Sequence, residues 1–169
     1  MAEQSKFSIF HLQGGIGKHV AATAVAKTIK ENHPDRKLIV VCAYPDIFIN
    51  LPYVDKVFTL GNTQYFYQDY VKDKDSILFH HEPYYTTDHI HKRQRLIQNW
   101  CNMYNLKYNG AAPDVKFNTL QFDVSKQFWK RNKPSMVIHT NGGLMATDAK
   151  PYAWTRDMPT ELAQALVDY

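Results

Sequence analysis

Short apolar runs rich in β-branched residues alternate with helical patterns along this chain, and this alternation restricts the fold more than any other feature. Leu38–Cys42 is a continuous apolar run, which is typical of a strand buried on both faces of a parallel sheet. Phe7–Leu12 and Ser76–His80 predict further strands, and Lys18–Asn32 and Thr87–Tyr104 carry apolar residues at helical spacing. The sequence therefore predicts an α/β fold, a Rossmann-like parallel sheet with helices on both faces.

The core of this sheet follows from the same pattern. We expect Ile9, Val40, Val41 and Leu78 to be buried in the strands and Ile97 to be buried on the second helix.

The last part of the chain repeats the order of strand, glycine-containing loop and helix. Ser135–His139 predicts a buried strand, and a helical pattern follows it to Tyr169. We therefore expect one Rossmann-like domain over residues 1–132 and the first βα unit of a second domain over residues 133–169. Because a lone βα unit cannot bury both of its faces, we expect the natural protein to continue past Tyr169.

The charge of the chain bears on its binding partners, and its cysteine content bears on the cell compartment in which it works. The net charge is only +4 and the basic residues are scattered, so the sequence predicts no nucleic-acid partner. Cys42 and Cys101 lie far apart in apolar runs, which indicates buried thiols in a reducing compartment. No stretch approaches the roughly 20 apolar residues of a transmembrane helix. We expect a cytoplasmic protein, and peripheral contact with a membrane-borne substrate remains open.

A glycine-rich loop lies between the first predicted strand and the first predicted helix. The free N–H groups of a helix start attract anions, and glycines let a ligand approach the backbone. The loop is not a standard phosphate-binding P-loop, which needs Gly at position 12 and Ser or Thr at position 19, where this chain has Leu12 and His19. The predicted residues of this acceptor- or anion-binding loop are Gly14, Gly15, Gly17 and Lys18.

Five segments of the chain follow the order of landmarks in a known enzyme family. They are a Gly-rich loop and helix, a helix end at His-Pro, an apolar strand, a stretch similar to Asn-Pro-x-Val-Asp-x-Val, and a late Gly-containing loop. The segments are Gly14–Val25, Asn32–Asp35, Leu38–Cys42, Asn50–Val57 and Val137–Gly143, the last followed by Lys150, Trp154 and Pro159. In this order the chain resembles family-9 glycosyltransferases, the group of ADP-heptose:lipopolysaccharide heptosyltransferases.

The resemblance implies a GT-B fold, in which two Rossmann-like domains face a cleft. It implies inverting transfer of a sugar from a nucleotide-sugar donor to a saccharide or glycolipid acceptor, with no catalytic metal and no cofactor. The acceptor would lie on the N-terminal side and the donor on the C-terminal side. The late loop is similar to the family's donor-phosphate loop, which implies that the donor phosphates contact Thr140, Asn141, Gly142, Gly143 and Lys150.

The chain departs from the family where the general base is expected. The family has an acidic residue directly after the last loop glycine, and this chain has Lys18 there. Glu82 is the predicted substitute base, because it follows the carboxyl end of a predicted strand, where loops of α/β sheets line the cleft. His81 is the second choice, since imidazole titrates near neutral pH. Lys18 would instead hold an anionic group of the acceptor or a phosphate.

Two other functions remain open at this point. One is a P-loop-like module that binds or hydrolyses a nucleotide, and the other is a sugar-binding domain without catalysis. A metal site is not predicted, because the spacing of the histidines matches no standard zinc pattern. These histidines are His80, His81, His89 and His91.

Overall fold

A computed structural model describes residues 4–126, 138 and 158–169 of the chain. Contacts divide the chain into two compact units, Met1–Asn118 and Thr119–Tyr169. The first unit contains the sheet and the candidate functional site.

The first unit is built on a four-stranded parallel sheet with the strand order β3-β2-β1-β4. In register, Ile9 of β1 lies between Ile39 of β2 and Leu78 of β4. This order matches the first four strands of a Rossmann sheet, so the α/β, Rossmann-like prediction is confirmed. The strands are β1 (Lys6–His11), β2 (Lys37–Cys42), β3 (Lys56–Thr59) and β4 (Asp75–Phe79).

The central strand β2 is buried on both faces, as its apolar run predicts. Val40 is 0% exposed and Val41 is 4% exposed. On the first face, Phe10 and Val40 belong to a core that includes Val25 and Ile29 of helix α1 (Ile16–Asn32). The helix begins after the extended residue Gly15 and ends before Pro34, which disfavours helical geometry in the residue preceding it.

The second face of the sheet is covered by aromatic residues. Phe66 and Tyr70 of the short helix α2 (Phe66–Tyr70) pack over Ile9 and Ile39. Leu78 also faces this side, but it is 63% exposed, so its predicted burial is wrong. The reason is its position: β4 is an edge strand of the described sheet, and the aromatic cover lies over the other strands.

The predicted helix Thr87–Tyr104 is divided in two by the structure. Helix α3 (Thr87–Ile90) ends two residues before Lys92, whose φ of 53° is left-handed, and helix α4 (Leu96–Met103) begins after the extended residue Arg95. The basic residues of this junction repel one another on a helix surface, which opposes a continuous helix. Ile97 is half-buried against the core of the first face, so its predicted burial is only partly met.

The second unit contains two described helices, α5 (Thr119–Lys126) and α6 (Thr160–Asp168). Helix α6 agrees with the late helical pattern. The predicted strand Ser135–His139, except for Ile138, lies outside the described residues, as does the predicted domain boundary after residue 132, which stays a prediction. Within the described ranges, no helix has the length and apolar character required to cross a bilayer.

Candidate functional site

The candidate site lies at the carboxyl ends of β1 and β4. These strands are neighbours, yet the chain leaves β1 through α1 towards β2 on the other side, so the strand order reverses here. Open α/β sheets form their ligand crevice at such a point, outside the carboxyl ends of the strands. The loop over residues 12–15 after β1, which we call the glycine loop, and the loop over residues 80–86 after β4, which we call the acidic loop, border this crevice.

The glycine loop is shaped by its glycines for two different reasons. Gly14 has a φ of +93°, which favours glycine, and a Cβ there would lie 3.3 Å from Cδ of Lys18. At Gly15 and Gly17 a Cβ would meet no atom of the described residues within 4 Å. Glycine is therefore favoured at Gly14 by its backbone conformation and by the close contact with Lys18. Beside Gly15 and Gly17 the described residues leave space for a ligand.

Lys18 forms an ion pair with Glu82 across the crevice, between its Nζ and the Oε1 of the carboxylate. The Lys18 side chain is 8% exposed and the Glu82 side chain is 33% exposed. The Lys18 ammonium also lies 5.7 Å from the ring centre of Tyr84 and 6.0 Å from that of Trp100, within reach of a cation–π attraction. The structure thus joins Lys18, in the first turn of α1, to Glu82 of the acidic loop, and Lys18 is turned towards protein rather than solvent.

The acidic loop is fixed by hydrogen bonds from helix α4. The indole Nε1 of Trp100 donates to the carbonyl oxygen of His81 at 3.1 Å, and the hydroxyl of Tyr104 donates to the same oxygen. Burial raises the pKa of Tyr104 to about 12, so this hydroxyl keeps its proton. Asn99 donates to the carbonyl of Pro83 at 3.4 Å. Hydrogen bonds thus hold the backbone carbonyls of the residues directly before and directly after Glu82.

His19 has a role that the sequence did not reveal. Its side chain is fully buried, its Nδ1 lies 2.9 Å from the carbonyl oxygen of Gly15, and its Nε2 accepts the backbone N–H of Ala43 at 3.2 Å. Nδ1 must carry the proton, since only a donor can bond a carbonyl. Burial lowers the pKa of His19, which favours this neutral form. His19 thus connects the glycine loop to the end of β2, at the position where a P-loop has its hydroxyl residue.

His11 and His80 form a second feature that sequence reasoning missed. They follow the paired residues Phe10 and Phe79, so they are adjacent across β1 and β4. Their Nδ1 atoms are 2.8 Å apart and their ring centres 4.6 Å apart. The signal in the sequence is a histidine at the same place in two strands, but it can be read only when the pairing of β1 with β4 is known.

An open depression of about 480 Å³ lies beside the acidic loop. It contains both predicted bases, Glu82 and His81, and it reaches the glycine loop at Gln13. A smaller recess of about 280 Å³ lies at the amino ends of β1 and β2, around the exposed ion pair of Lys6 and Asp35. The larger depression is the one at the crevice, and it is lined by Gln13, His80, His81, Glu82, Tyr85, Thr86 and Met103.

The other predicted site residues cannot be placed in this geometry. Thr140, Asn141, Gly142, Gly143 and Lys150 lie outside the described residues. Among the residues that are described, no group of three or more His, Cys, Asp or Glu side chains could hold a metal ion.

Comparison with known proteins gives no assignment. No protein-family model, no curated protein and no solved structure matches the chain.

Proposed function

We propose that this chain contains the acceptor-side domain of an inverting, metal-independent glycosyltransferase that uses a nucleotide-sugar donor and a saccharide or glycolipid acceptor. The observation that supports the proposal most is the ion pair between Lys18 and Glu82. The family resemblance calls for an acid directly after the last loop glycine, where this chain has Lys18. The carboxylate of Glu82 lies against that lysine, so the acidic loop after β4 brings an acid next to this position.

Glu82 has the access that a general base needs. It lines the depression and is one-third exposed, so the hydroxyl of an acceptor can approach it. The ion pair engages Oε1, and the carboxylate has a second oxygen, Oε2, that can take the hydroxyl proton. Lys18 holds the carboxylate in place by a charge-assisted hydrogen bond.

We assign the base to Glu82 and keep His81 as the second choice. The carbonyl of His81 is fixed by Trp100 and Tyr104, but of the two candidates it is Glu82 that forms an ion pair with Lys18. In this proposal the donor phosphates are bound by the late loop and Lys150, as the resemblance implies.

The P-loop-like alternative has less support from this geometry. A P-loop lysine has to reach the phosphates of a nucleotide, and here the Lys18 side chain is buried and neutralised by Glu82. The position of the Mg²⁺-binding hydroxyl is occupied by His19, whose two ring nitrogens are both engaged by backbone groups.

The experiment uses protein expressed from its complete reading frame. It is incubated with ADP-, UDP- and GDP-sugars, a panel of saccharide and glycolipid acceptors, and EDTA, and the release of nucleoside diphosphate is measured. Acceptor-dependent release in EDTA, with an inverted anomeric product, supports the proposal. Hydrolysis of a nucleoside triphosphate that requires Mg²⁺ would refute it in favour of the P-loop-like module. Saccharide binding without any transfer would identify a non-catalytic sugar-binding domain.

A further inference from the structure

The contact between His11 and His80 can exist only in certain protonation states. A neutral imidazole has one ring nitrogen that donates and one that accepts, whereas both nitrogens of an imidazolium donate. With the two Nδ1 atoms 2.8 Å apart, one of them must carry a proton and the other must be free of one. When both rings become imidazolium ions, neither Nδ1 can accept, and two like charges lie side by side.

We propose that His11 and His80 form a pH-sensitive latch between the two loops that border the crevice. The latch is closed while the two Nδ1 atoms share one proton, and it opens when both rings are protonated. This inference does not depend on the proposed transferase activity, because it concerns the geometry of the crevice whatever the ligand is.

The pair lies close enough to the residues that line the depression for its opening to change their positions. His11 is the last residue of β1 and lies two residues before Gln13 of the depression, and His80 directly follows β4 and lies two residues before Glu82. The Lys18–Glu82 ion pair also joins the start of α1, directly after the glycine loop, to the acidic loop. Loss of the histidine contact therefore removes a polar link that lies beside this ion pair.

Burial and most of the charges around His11 oppose its protonation, so the latch opens only in acid. Burial lowers the pKa of His11, and His80 and Lys18 lower it further, while Glu82 raises it. The ring of His81 lies 6.3 Å from that of His80 on the acidic loop, and the register partner of His11 on β2 is the uncharged Val41. The pKa of His11 is thus held below its usual value, so the pair resists full protonation near neutral pH.

Nitrogen NMR of the uniformly ¹⁵N-labelled full chain tests the latch directly. At about pH 7.5 we expect a through-hydrogen-bond coupling between the two Nδ1 atoms, and at about pH 5 we expect it to be lost. The backbone amide signals of Gly14 and Gly15 should shift in the same pH step. These amides are the readout because they lie on the glycine loop, opposite His80.

Two variants separate the latch from general acid effects. In His80→Ala, an exposed position, the pH-dependent shift of Gly14 and Gly15 should largely disappear, while His91→Ala, at the end of α3, should leave it unchanged. The proposal is overturned if wild-type protein shows no coupling between the two nitrogens at about pH 7.5. It is also overturned if the Gly14 and Gly15 amides titrate equally in His80→Ala and in the wild type.

Discussion

The Lys18–Glu82 ion pair should respond unequally to the loss of its two partners. Lys18 is 8% exposed, so a lysine left without Glu82 keeps a charge that water barely reaches. Glu82 is 33% exposed, so a carboxylate left without Lys18 can be rehydrated. We therefore predict that Glu82→Gln destabilises the fold more than Lys18→Met does. Both replacements keep approximately the size of the original side chain.

The magnitudes follow from the exposure of each partner. Glu82→Gln keeps an amide oxygen that can accept from Lys18 but removes the negative charge opposite a nearly buried ammonium, so it should lower the free energy of unfolding by about 2 kcal/mol. The rings of Tyr84 and Trp100 near the ammonium keep this below the roughly 3–5 kcal/mol of a fully buried pair. Lys18→Met should cost about 1 kcal/mol, because solvent compensates the remaining carboxylate. The double variant should cost less than the sum of the two.

Urea unfolding followed by circular dichroism measures all four proteins of this cycle. The expected coupling between the two substitutions is about 1–2 kcal/mol, within the range of residues in direct contact. Additive single effects, or a larger loss in Lys18→Met than in Glu82→Gln, would show that the ion pair is not formed as described.

Three further predictions concern the core and the pH dependence of stability. Val40→Ala in the central strand should lower the free energy of unfolding by about 1–3 kcal/mol, and a change near zero in urea unfolding would contradict its burial. Ser8→Ala should raise the melting temperature, because the Ser8 hydroxyl is buried and has no hydrogen-bond partner among the described residues; a clear decrease would mean that a partner exists. The free energy of unfolding should decrease as the pH is lowered from about 7.5 to about 5.5. The reason is that folding lowers the pKa of His11 and of His19, so the folded state binds fewer protons than the unfolded chain; a urea midpoint that stays constant over this range would contradict the prediction.

The sheet could be predicted from the sequence because its evidence is local. The apolar run Leu38–Cys42 has the composition of a strand covered on both faces, and such a strand needs neighbours on both sides. The helix Lys18–Asn32 was also predictable, from its apolar spacing and from the His-Pro that ends it. These features depend on residues a few positions apart.

The two failures have different origins: one depends on neighbours that are remote in the sequence, and the other on a backbone conformation that the apolar spacing does not show. Leu78 has the same local pattern as a buried strand residue, and only the strand order shows that β4 is an edge strand here. The break between α3 and α4 depends on the left-handed conformation of Lys92, which periodicity does not detect.

The candidate site, like the fold, could be predicted from the sequence only in part. Gly14 to Lys18 and Glu82 could each be selected from their places after strands, but their contact could not be predicted without the pairing of β1 with β4. His11 and His19 were not selected, because a single histidine carries no spacing signal of its own.

The central claim is that Glu82 takes the proton of the acceptor hydroxyl, and the turnover of Glu82→Gln tests it most directly. Glu31→Gln is the matched control, because Glu31 lies near the end of α1 and its partner Asn109 can still donate to a glutamine oxygen. Both variants are first shown to be folded by circular dichroism. Glu82→Gln should then lower turnover by roughly 10²–10⁴-fold with donor binding nearly unchanged, while Glu31→Gln should keep wild-type turnover. Wild-type turnover in Glu82→Gln would contradict the account and shift the role of base to His81.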